Sequence, residues 1–250
     1  MASRLALAVS AGVLLVVWGF ASRLLPALPD SLNVMLSSAI SLTLMGAIVW
    51  GLVPLAALGR RLLLIVAVAL PLAMLLVWLG SVPFANLAKI VAAAAFGLWI
   101  AAEIERVSWI IVVAVVSAVT DIVSVAIGPT RKILDDGPVL IGYFAVIMTW
   151  FGYEWSEAHS AIGMSDVIFF AVYLGAARSF RLRERLSAVV MIASFLVTLA
   201  VAMWWTALPA LPLLSLSFLA VNADLLWRGA RPGADARAAG IPQSSEQPQS

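Results

Sequence analysis

Two aspartates interrupt apolar segments of the chain that are long enough to cross a membrane. Asp121 lies in the run Val107–Ile127, and Asp166 lies near the start of the run Ala161–Ala177. An ionisable side chain is costly to bury in the hydrocarbon layer, so such residues are rare there and usually functional. The pattern therefore predicts a site that contains both carboxyl groups. Either acid alone also has a structural interpretation, as a hydrogen-bonding group between helices.

Both carboxyl groups are predicted at a similar depth. At a helical rise of about 1.5 Å per residue, Asp121 lies roughly 10 Å, and Asp166 roughly 8 Å, from the helix ends that one loop connects. The two helices run antiparallel, so the side chains can meet. Two carboxyl groups in a poorly solvated site do not both ionise easily and can share one proton. One acid then accepts a proton from water while the other donates one to a carbonyl oxygen, as in aspartic proteases.

A third candidate element is the segment from Ala207 to Pro212, which reads Ala-Leu-Pro-Ala-Leu-Pro. Its two prolines, Pro209 and Pro212, prevent a regular helix start and leave backbone groups unpaired. Irregular backbone at membrane depth occurs where it is buried in protein or lines a wet cavity. The segment is predicted on the same side of the membrane as both aspartates. A proline-rich turn that ends a hairpin of helices explains it equally well.

The composition indicates the class of protein. Only 11% of the 250 residues are charged and 64% are hydrophobic, whereas soluble domains carry about 25% charged residues. We therefore predict an all-α, polytopic transmembrane helical bundle. The absence of cysteine excludes disulfides, thiolate chemistry and Cys-ligated zinc. The single histidine, His159, argues against a His-ligated metal or a Ser-His-Asp triad, so no metal or cofactor is predicted.

Apolar runs of about 17–25 residues predict eight membrane-spanning helices. Their bounds are Leu5–Ala21, Leu32–Leu58, Leu62–Leu79, Val82–Ala102, Val107–Ile127, Ala161–Ala177, Leu186–Thr206 and Leu211–Trp227. The tail that follows is rich in Gly, Ala, Pro, Ser and Gln and is predicted to be disordered. We therefore expect one transmembrane domain over residues 1–228, with N-terminal helices in 1–106 and the helices of the candidate site in 107–228. The cytoplasmic tail covers 229–250.

The run Pro138–Phe151 is ambiguous, because about 14 apolar residues are short for a membrane span. The excess of Lys and Arg in cytoplasmic loops decides the question. If this run does not cross the membrane, most arginines fall on one side of the membrane. They include Arg4, Arg60, Arg61, Arg106 and the cluster at 178–185. We therefore predict that both termini are cytoplasmic at the cell membrane. Pro138–Phe151 becomes an apolar outer loop that packs on the bundle or dips into the membrane. The arginine cluster is interpreted as a topology signal and anionic-lipid contact.

Three motifs resemble those of a known family. The first motif resembles the catalytic sixth helix of presenilins and the residues that directly follow that helix. It reads Asp121-Ile-Val-Ser-Val-Ala-Ile-Gly-Pro-Thr-Arg-Lys-Ile-Leu. That family's Gly-x-Gly-Asp helix is similar to Gly163-Met164-Ser165-Asp166, and its Pro-Ala-Leu motif is similar to Pro209-Ala210-Leu211. Order and spacing agree over about Val115–Ala220. The chain thus resembles the presenilin and signal-peptide-peptidase family of intramembrane aspartyl proteases, and a prokaryotic-type homologue in particular.

The resemblance implies which residues form the site. Asp121 and Asp166 would be the catalytic pair. The residues that would contact the substrate are Gly163, Met164, Ser165, Pro209, Ala210 and Leu211. The implied partners are a transmembrane peptide or protein substrate and the lipid bilayer, without nucleic acid, metal or cofactor. The oligomeric state is left open.

The chain departs from the family pattern in three respects. Thr120 stands where the family usually has Tyr, and Ser165 replaces the second glycine, a residue that permits close backbone approach. Eight predicted helices compare with nine in the family. The predicted orientation resembles that of signal peptide peptidase, so substrates are expected to enter with cytoplasmic N-termini. In the outer loop, Val139-Leu140-Ile141 is a candidate to pair with an extended substrate. Packing of a hydrophobic loop explains that stretch equally well.

Two other functions fit a pair of intramembrane acids. Such acids serve as proton or cation sites in transporters and channels, although the sequence shows no internal repeat or paired broken helices typical of secondary transporters. The other is a non-catalytic homologue that binds membrane helices, and Ser165 is the residue that favours it. Near the end of the last helix, Asp224 and Arg228 are four residues apart, which predicts a local ion pair.

Overall fold

The computed structural model describes residues 2–127, 142–154, 160–203 and 208–229. Over these ranges the chain is a helical bundle with one short two-stranded ribbon. The α-helices are α1 Ala2–Ala21, α2 Asp30–Leu52, α3 Leu62–Trp78, α4 Val82–Glu103, α5 Val107–Ile127, α6 Met164–Ser179, α7 Glu184–Ala202 and α8 Leu211–Gly229. The predicted tail 229–250 begins one residue too early, because Gly229 is the last residue of α8, and residues 230–250 lie outside the described residues.

Six helical stretches in these ranges are long and apolar enough to cross a membrane. One of them joins α2 to α3 through the 3₁₀ segment Val53–Arg61. The second helix was predicted to reach Leu58, but its α-helical part ends at Leu52, because Pro54 has no N–H for the next helical hydrogen bond. Gly59 bends the segment with a φ of 51°, a left-handed value that favours glycine. The structure is mostly helical, with several helices long and apolar enough to cross a membrane, in agreement with the predicted all-α multi-pass bundle. α6, with 16 residues, is not among the six stretches, so the count of eight spans stays a prediction.

The centre of the bundle is the pair α4 and α6, which pack along most of their length. Small residues permit this close approach, as is common between membrane helices. A Cβ on Gly97 would collide with the carbonyl oxygen of Ile168, and one on Gly175 would lie 2.6 Å from the Cβ of Ala101. α6, which carries Asp166, is therefore held by packing that leaves no room for a larger side chain.

A second pair, α5 and α8, lies at the periphery. α5 packs mainly against α8, and α8 also contacts α7. One face of α5 is an exposed stripe formed by Val112, Val115, Val116, Val119 and Val123. In a membrane helix this stripe is suited to contact with lipid chains. Asp121 is therefore carried by a helix that has one lipid-facing side and one protein-facing side.

The connection between α5 and α6 contains the ribbon. Strand β1, Ala145–Ile147, pairs antiparallel with β2, Ala161–Gly163, so that Ala145 lies opposite Gly163. Val146 and Trp150 are buried, so the described part of the predicted outer loop packs on the bundle as expected. The strand itself was not predicted. The stretch 139–141, the candidate to pair with a substrate, lies outside the described residues.

The start of α6 corrects one expectation. The apolar pattern predicts that this helix begins near Ala161, whereas it begins at Met164. Residues Ala161–Gly163 are extended because they pair with β1. This partner is distant in sequence, so hydropathy along the chain does not report it. The ribbon therefore leads directly into the turn of helix that carries Asp166.

Candidate functional site

Asp166 lies in the first turn of α6 and is only 9% exposed. Gly163 precedes the helix in an extended conformation, and its N–H donates to Asp166 Oδ2 at 3.2 Å. The first-turn N–H groups of a helix lack partners within the helix, and a carboxylate there is stabilised by the positive end of the helix dipole. A Cβ on Gly163 would lie 3.2 Å from Asp166 Oδ2. Glycine therefore keeps the space beside this carboxylate open.

Asp121 lies in the last part of α5 and is half-buried. Its Oδ2 accepts the backbone N–H of Leu211 at 3.0 Å. This donor has no partner within the helix because α8 begins here, and the Ala210 carbonyl oxygen accepts the N–H of Leu214 at 3.1 Å. The Pro-Ala-Leu segment thus supplies a backbone hydrogen bond to Asp121 at the start of α8.

Asp121 is near enough to Asp166 for their charges to interact. Like charges in a poorly solvated site do not both persist, so a pair of this kind shares one proton. α5 packs on α8 and reaches α6 through a side-chain contact between Ser117 and Tyr173, so the direct adjacency of α5 and α6 at the level of the aspartates stays a prediction. The position of Asp121 depends on α8, because the Leu211 N–H at the start of that helix donates to its carboxylate.

The other predicted site residues lie around this pair. Met164 is half-buried and packs on the core, while Ser165 is exposed on the same turn of α6. The Ser165 hydroxyl lies 3.2 Å from the position that a Cβ on Gly163 would occupy. Pro209 is half-buried and Leu211 is buried. Two direct hydrogen bonds join predicted site residues, one from Gly163 to Asp166 and one from Leu211 to Asp121.

A buried cluster of three hydroxyl groups lies deeper in the bundle than the aspartates, and the sequence pattern did not predict it. The Tyr173 hydroxyl lies 2.9 Å from Ser117 Oγ and 2.7 Å from Ser215 Oγ, and the two serine oxygens are 3.3 Å apart. These residues come from α6, α5 and α8, the three helices that carry the site. The sequence signal is their spacing from site residues. Ser117 lies four residues from Asp121, Ser215 lies four residues from Leu211, and Tyr173 lies seven residues from Asp166. Each hydroxyl group is therefore on the same helix face as a site residue.

Polar side chains of the N-terminal helices hold the ribbon, and these were also not predicted. Lys89 Nζ donates to the carbonyl oxygens of Gly142, at 3.0 Å, and Ala145. The Asn86 amide donates to the Ile147 carbonyl at 2.6 Å and accepts the Ile147 N–H at 3.1 Å. Asn33 makes the same two-way contact with the backbone of Phe151, at 3.0 and 2.9 Å. The connection between the aspartate helices is therefore fastened to α2 and α4.

No protein-family model, curated protein or solved structure matches the chain. The long apolar helices indicate a multi-pass helical membrane protein, and within it the charges of Asp121 and Asp166 interact. Backbone donors of two helix starts are directed at the two carboxylates.

Proposed function

We propose that the chain is an intramembrane aspartyl protease that hydrolyses peptide bonds within transmembrane helices. The observation that carries the proposal is that Asp121 and Asp166 are near enough for their charges to interact, with the start of α8 hydrogen-bonded to Asp121. Two carboxyl groups that share one proton can activate water without a metal, since one acts as base and the other as acid. The motif resemblance supports the same chemistry.

The surroundings of the two acids assign different roles to them. Asp121 accepts the backbone N–H of Leu211, which stabilises its negative charge, and it is less deeply buried than Asp166, so it serves as the base. Asp166 accepts one backbone N–H and is more deeply buried, so it carries the shared proton. Asp121 takes a proton from water, the water oxygen bonds to the carbonyl carbon, and Asp166 donates its proton to the carbonyl oxygen. The proton on Asp121 then passes to the amide nitrogen, Asp166 takes a proton back from one hydroxyl of the resulting diol, and the C–N bond breaks to give a carboxyl group and an amine, with one proton again on the pair.

A membrane substrate approaches such a site from the bilayer. α5 separates the site from lipid on one side through its exposed valine stripe. Hydrolysis requires the scissile segment to be extended, and β2 ends next to Asp166. Among the described residues, β1 is the strand that pairs with β2, on one of its two edges. A substrate strand is therefore offered backbone hydrogen bonds beside the carboxylates, in the manner of strand addition.

The proposed topology has eight spans, with both termini cytoplasmic and the ribbon on the outer side. The distribution of arginines supports this arrangement. In this orientation, preferred substrates have cytoplasmic N-termini. Reversing the orientation of a transmembrane test substrate in membranes checks the proposal, and preferential cleavage of the reversed substrate contradicts it.

The decisive experiment uses the purified full chain in lipid nanodiscs with a labelled transmembrane peptide. Asp121→Ala and Asp166→Ala are each expected to abolish cleavage, because residues that act as a unit lose nearly everything when one is removed. Asp30→Ala is the matched control, since Asp30 is exposed at the start of α2. Cleavage that survives in either site variant contradicts the proposal.

The same preparation separates the alternatives. Proton or cation flux in proteoliposomes without peptide cleavage favours a transporter or channel. Peptide binding without cleavage or flux favours a non-catalytic homologue. Ser165 is the residue that favours the non-catalytic function, because it stands where the resembled Gly-x-Gly-Asp motif has its second glycine.

A further inference from the structure

Lys89 is a charged residue inside a membrane helix to which the proposed chemistry gives no role. Its side chain is only 1% exposed on α4. An ammonium group in such a place is costly and is kept when it does something specific. Its partners here are the backbone carbonyl oxygens of Gly142 and Ala145. The charge is therefore used to hold main chain, at the point where β1 begins.

Asn86 extends the same contact to the other end of β1. It lies one helical turn before Lys89, so both side chains project from one face of α4. Its amide pairs with both the N–H and the carbonyl oxygen of Ile147, the last residue of β1. Together Lys89 and Asn86 fix the two ends of the strand to the helix at the centre of the bundle.

The ribbon needs such support. Each strand has three residues, and a two-stranded ribbon of this size is marginally stable at best by itself. From Lys89 the contacts continue without a gap to the candidate catalytic group. Ala145 lies opposite Gly163 in the ribbon, and the Gly163 N–H donates to Asp166 Oδ2.

We propose that Lys89, together with Asn86, is a positioning residue for Asp166. It holds β1 on α4, β1 holds β2, and β2 delivers Gly163 and the Asp166 carboxylate to the face of Asp121. The effect on catalysis rests on the proposed protease function. The effect on the ribbon does not, so the two are tested separately.

The catalytic test compares Lys89→Met and Asn86→Ala with the wild-type chain in nanodiscs. Methionine keeps the apolar length of the stem but deletes the charge and all three donors. We expect kcat to fall by about tenfold or more with KM within about twofold, because a small displacement of a reacting group slows chemistry more than it weakens binding. Lys89→Arg, which keeps donors and charge, is expected to retain more activity than Lys89→Met.

The ribbon test uses the absence of cysteine from the chain. Ile147 and Ala161 lie opposite each other in the ribbon, so Ile147→Cys with Ala161→Cys is expected to form a disulfide under mild oxidation. Adding Lys89→Met is expected to lower the rate of cross-linking about fivefold or more, because each kcal/mol of lost anchoring changes an equilibrium by about that factor. Lys132→Met, which removes the only other lysine, is the control and is expected to leave the rate unchanged.

The outcomes are distinct. A wild-type cross-linking rate in Lys89→Met overturns the inference, and so does a wild-type kcat in both Lys89→Met and Asn86→Ala. If the wild-type chain cleaves no peptide, the proposed function fails, while the cross-linking comparison still decides whether Lys89 holds the ribbon. Slower cross-linking together with a selective loss of kcat supports the full inference.

Discussion

The two aspartates sit on parts of the bundle that are held in different ways. Asp166 belongs to α6, which is buried on nearly all sides and packed against α4 through glycine and alanine contacts. Asp121 belongs to α5, which packs mainly on α8 and exposes a stripe of valines. One carboxylate is therefore fixed by the core, and the other by a hydrogen bond from the start of a peripheral helix.

This difference explains why the site needs connections between the two regions. The hydroxyl cluster of Tyr173, Ser117 and Ser215 is one, because it joins α6 to α5 and α8 in a buried place. Buried polar networks of this kind favour one arrangement of helices over others only when every member is satisfied. We infer that the core positions Asp166 in depth, whereas this cluster sets how close Asp121 comes to it.

The largest effect outside the aspartates is expected from Gly97→Ala, which disturbs the packing of α4 against α6, the helix that carries Asp166. The new Cβ collides with the Ile168 carbonyl oxygen, and backbone cannot give way as a side chain tip can. We expect the free energy of unfolding to fall by about 2 kcal/mol, measured by reversible unfolding in mixed micelles, together with a loss of cleavage. Gly12→Ala is the matched control, because its Cβ would meet only the flexible end of Leu87, at 3.2 Å. Equal stabilities of the two variants would show that α4 and α6 are not tightly packed.

Tyr173→Phe is expected to have an intermediate effect. It removes the hydroxyl group that joins α6 to α5 and α8 but keeps the ring that stacks on Phe218. Loss of the hydrogen bonds is expected to cost about 1 kcal/mol and to lower kcat by about threefold to tenfold with little change in KM. Combining it with Ser215→Ala is expected to add little, since residues of one network are not additive. Tyr153→Phe, outside the cluster, is the control. Additive effects in the double variant would contradict a shared network.

The smallest effect is expected from Ser165→Gly, which introduces the second glycine of the Gly-x-Gly-Asp motif that this segment resembles. Ser165 is exposed in the first turn of α6, so glycine there is expected to cost about 0.5 kcal/mol of stability. Removing the hydroxymethyl group is expected to raise kcat/KM by about twofold to fivefold for bulky substrates, because the substrate site gains space. Ser108→Gly is the control, because Ser108 holds the same exposed position in the first turn of α5. An unchanged kcat/KM would mean that Ser165 does not limit substrate fit.

Some pairings were predicted wrongly for a reason that the structure makes clear. Asp224 was expected to pair with Arg228, four residues along the same helix. Instead Arg183 makes two hydrogen bonds to the Asp224 carboxylate, at 2.7 and 2.9 Å. The guanidinium group fits a carboxylate with two parallel donors, and the packing of α7 on α8 brings it into reach. The local pair was available, but the better geometry came from a residue distant in sequence.

The sequence alone determined that the chain is a mostly helical bundle suited to a membrane and, to within a few residues, where most of its helices lie. That the two acids occur at one depth stays a prediction from the sequence. These features follow from hydropathy and helical rise, which are read along the chain. Only the tertiary structure decided that β1 and β2 pair, that Lys89 and Asn86 hold them, and that Tyr173 joins three helices. Those contacts depend on which faces of distant segments meet. Each side chain involved is polar in an apolar run, and such a residue shows that a partner is needed without showing which partner it is.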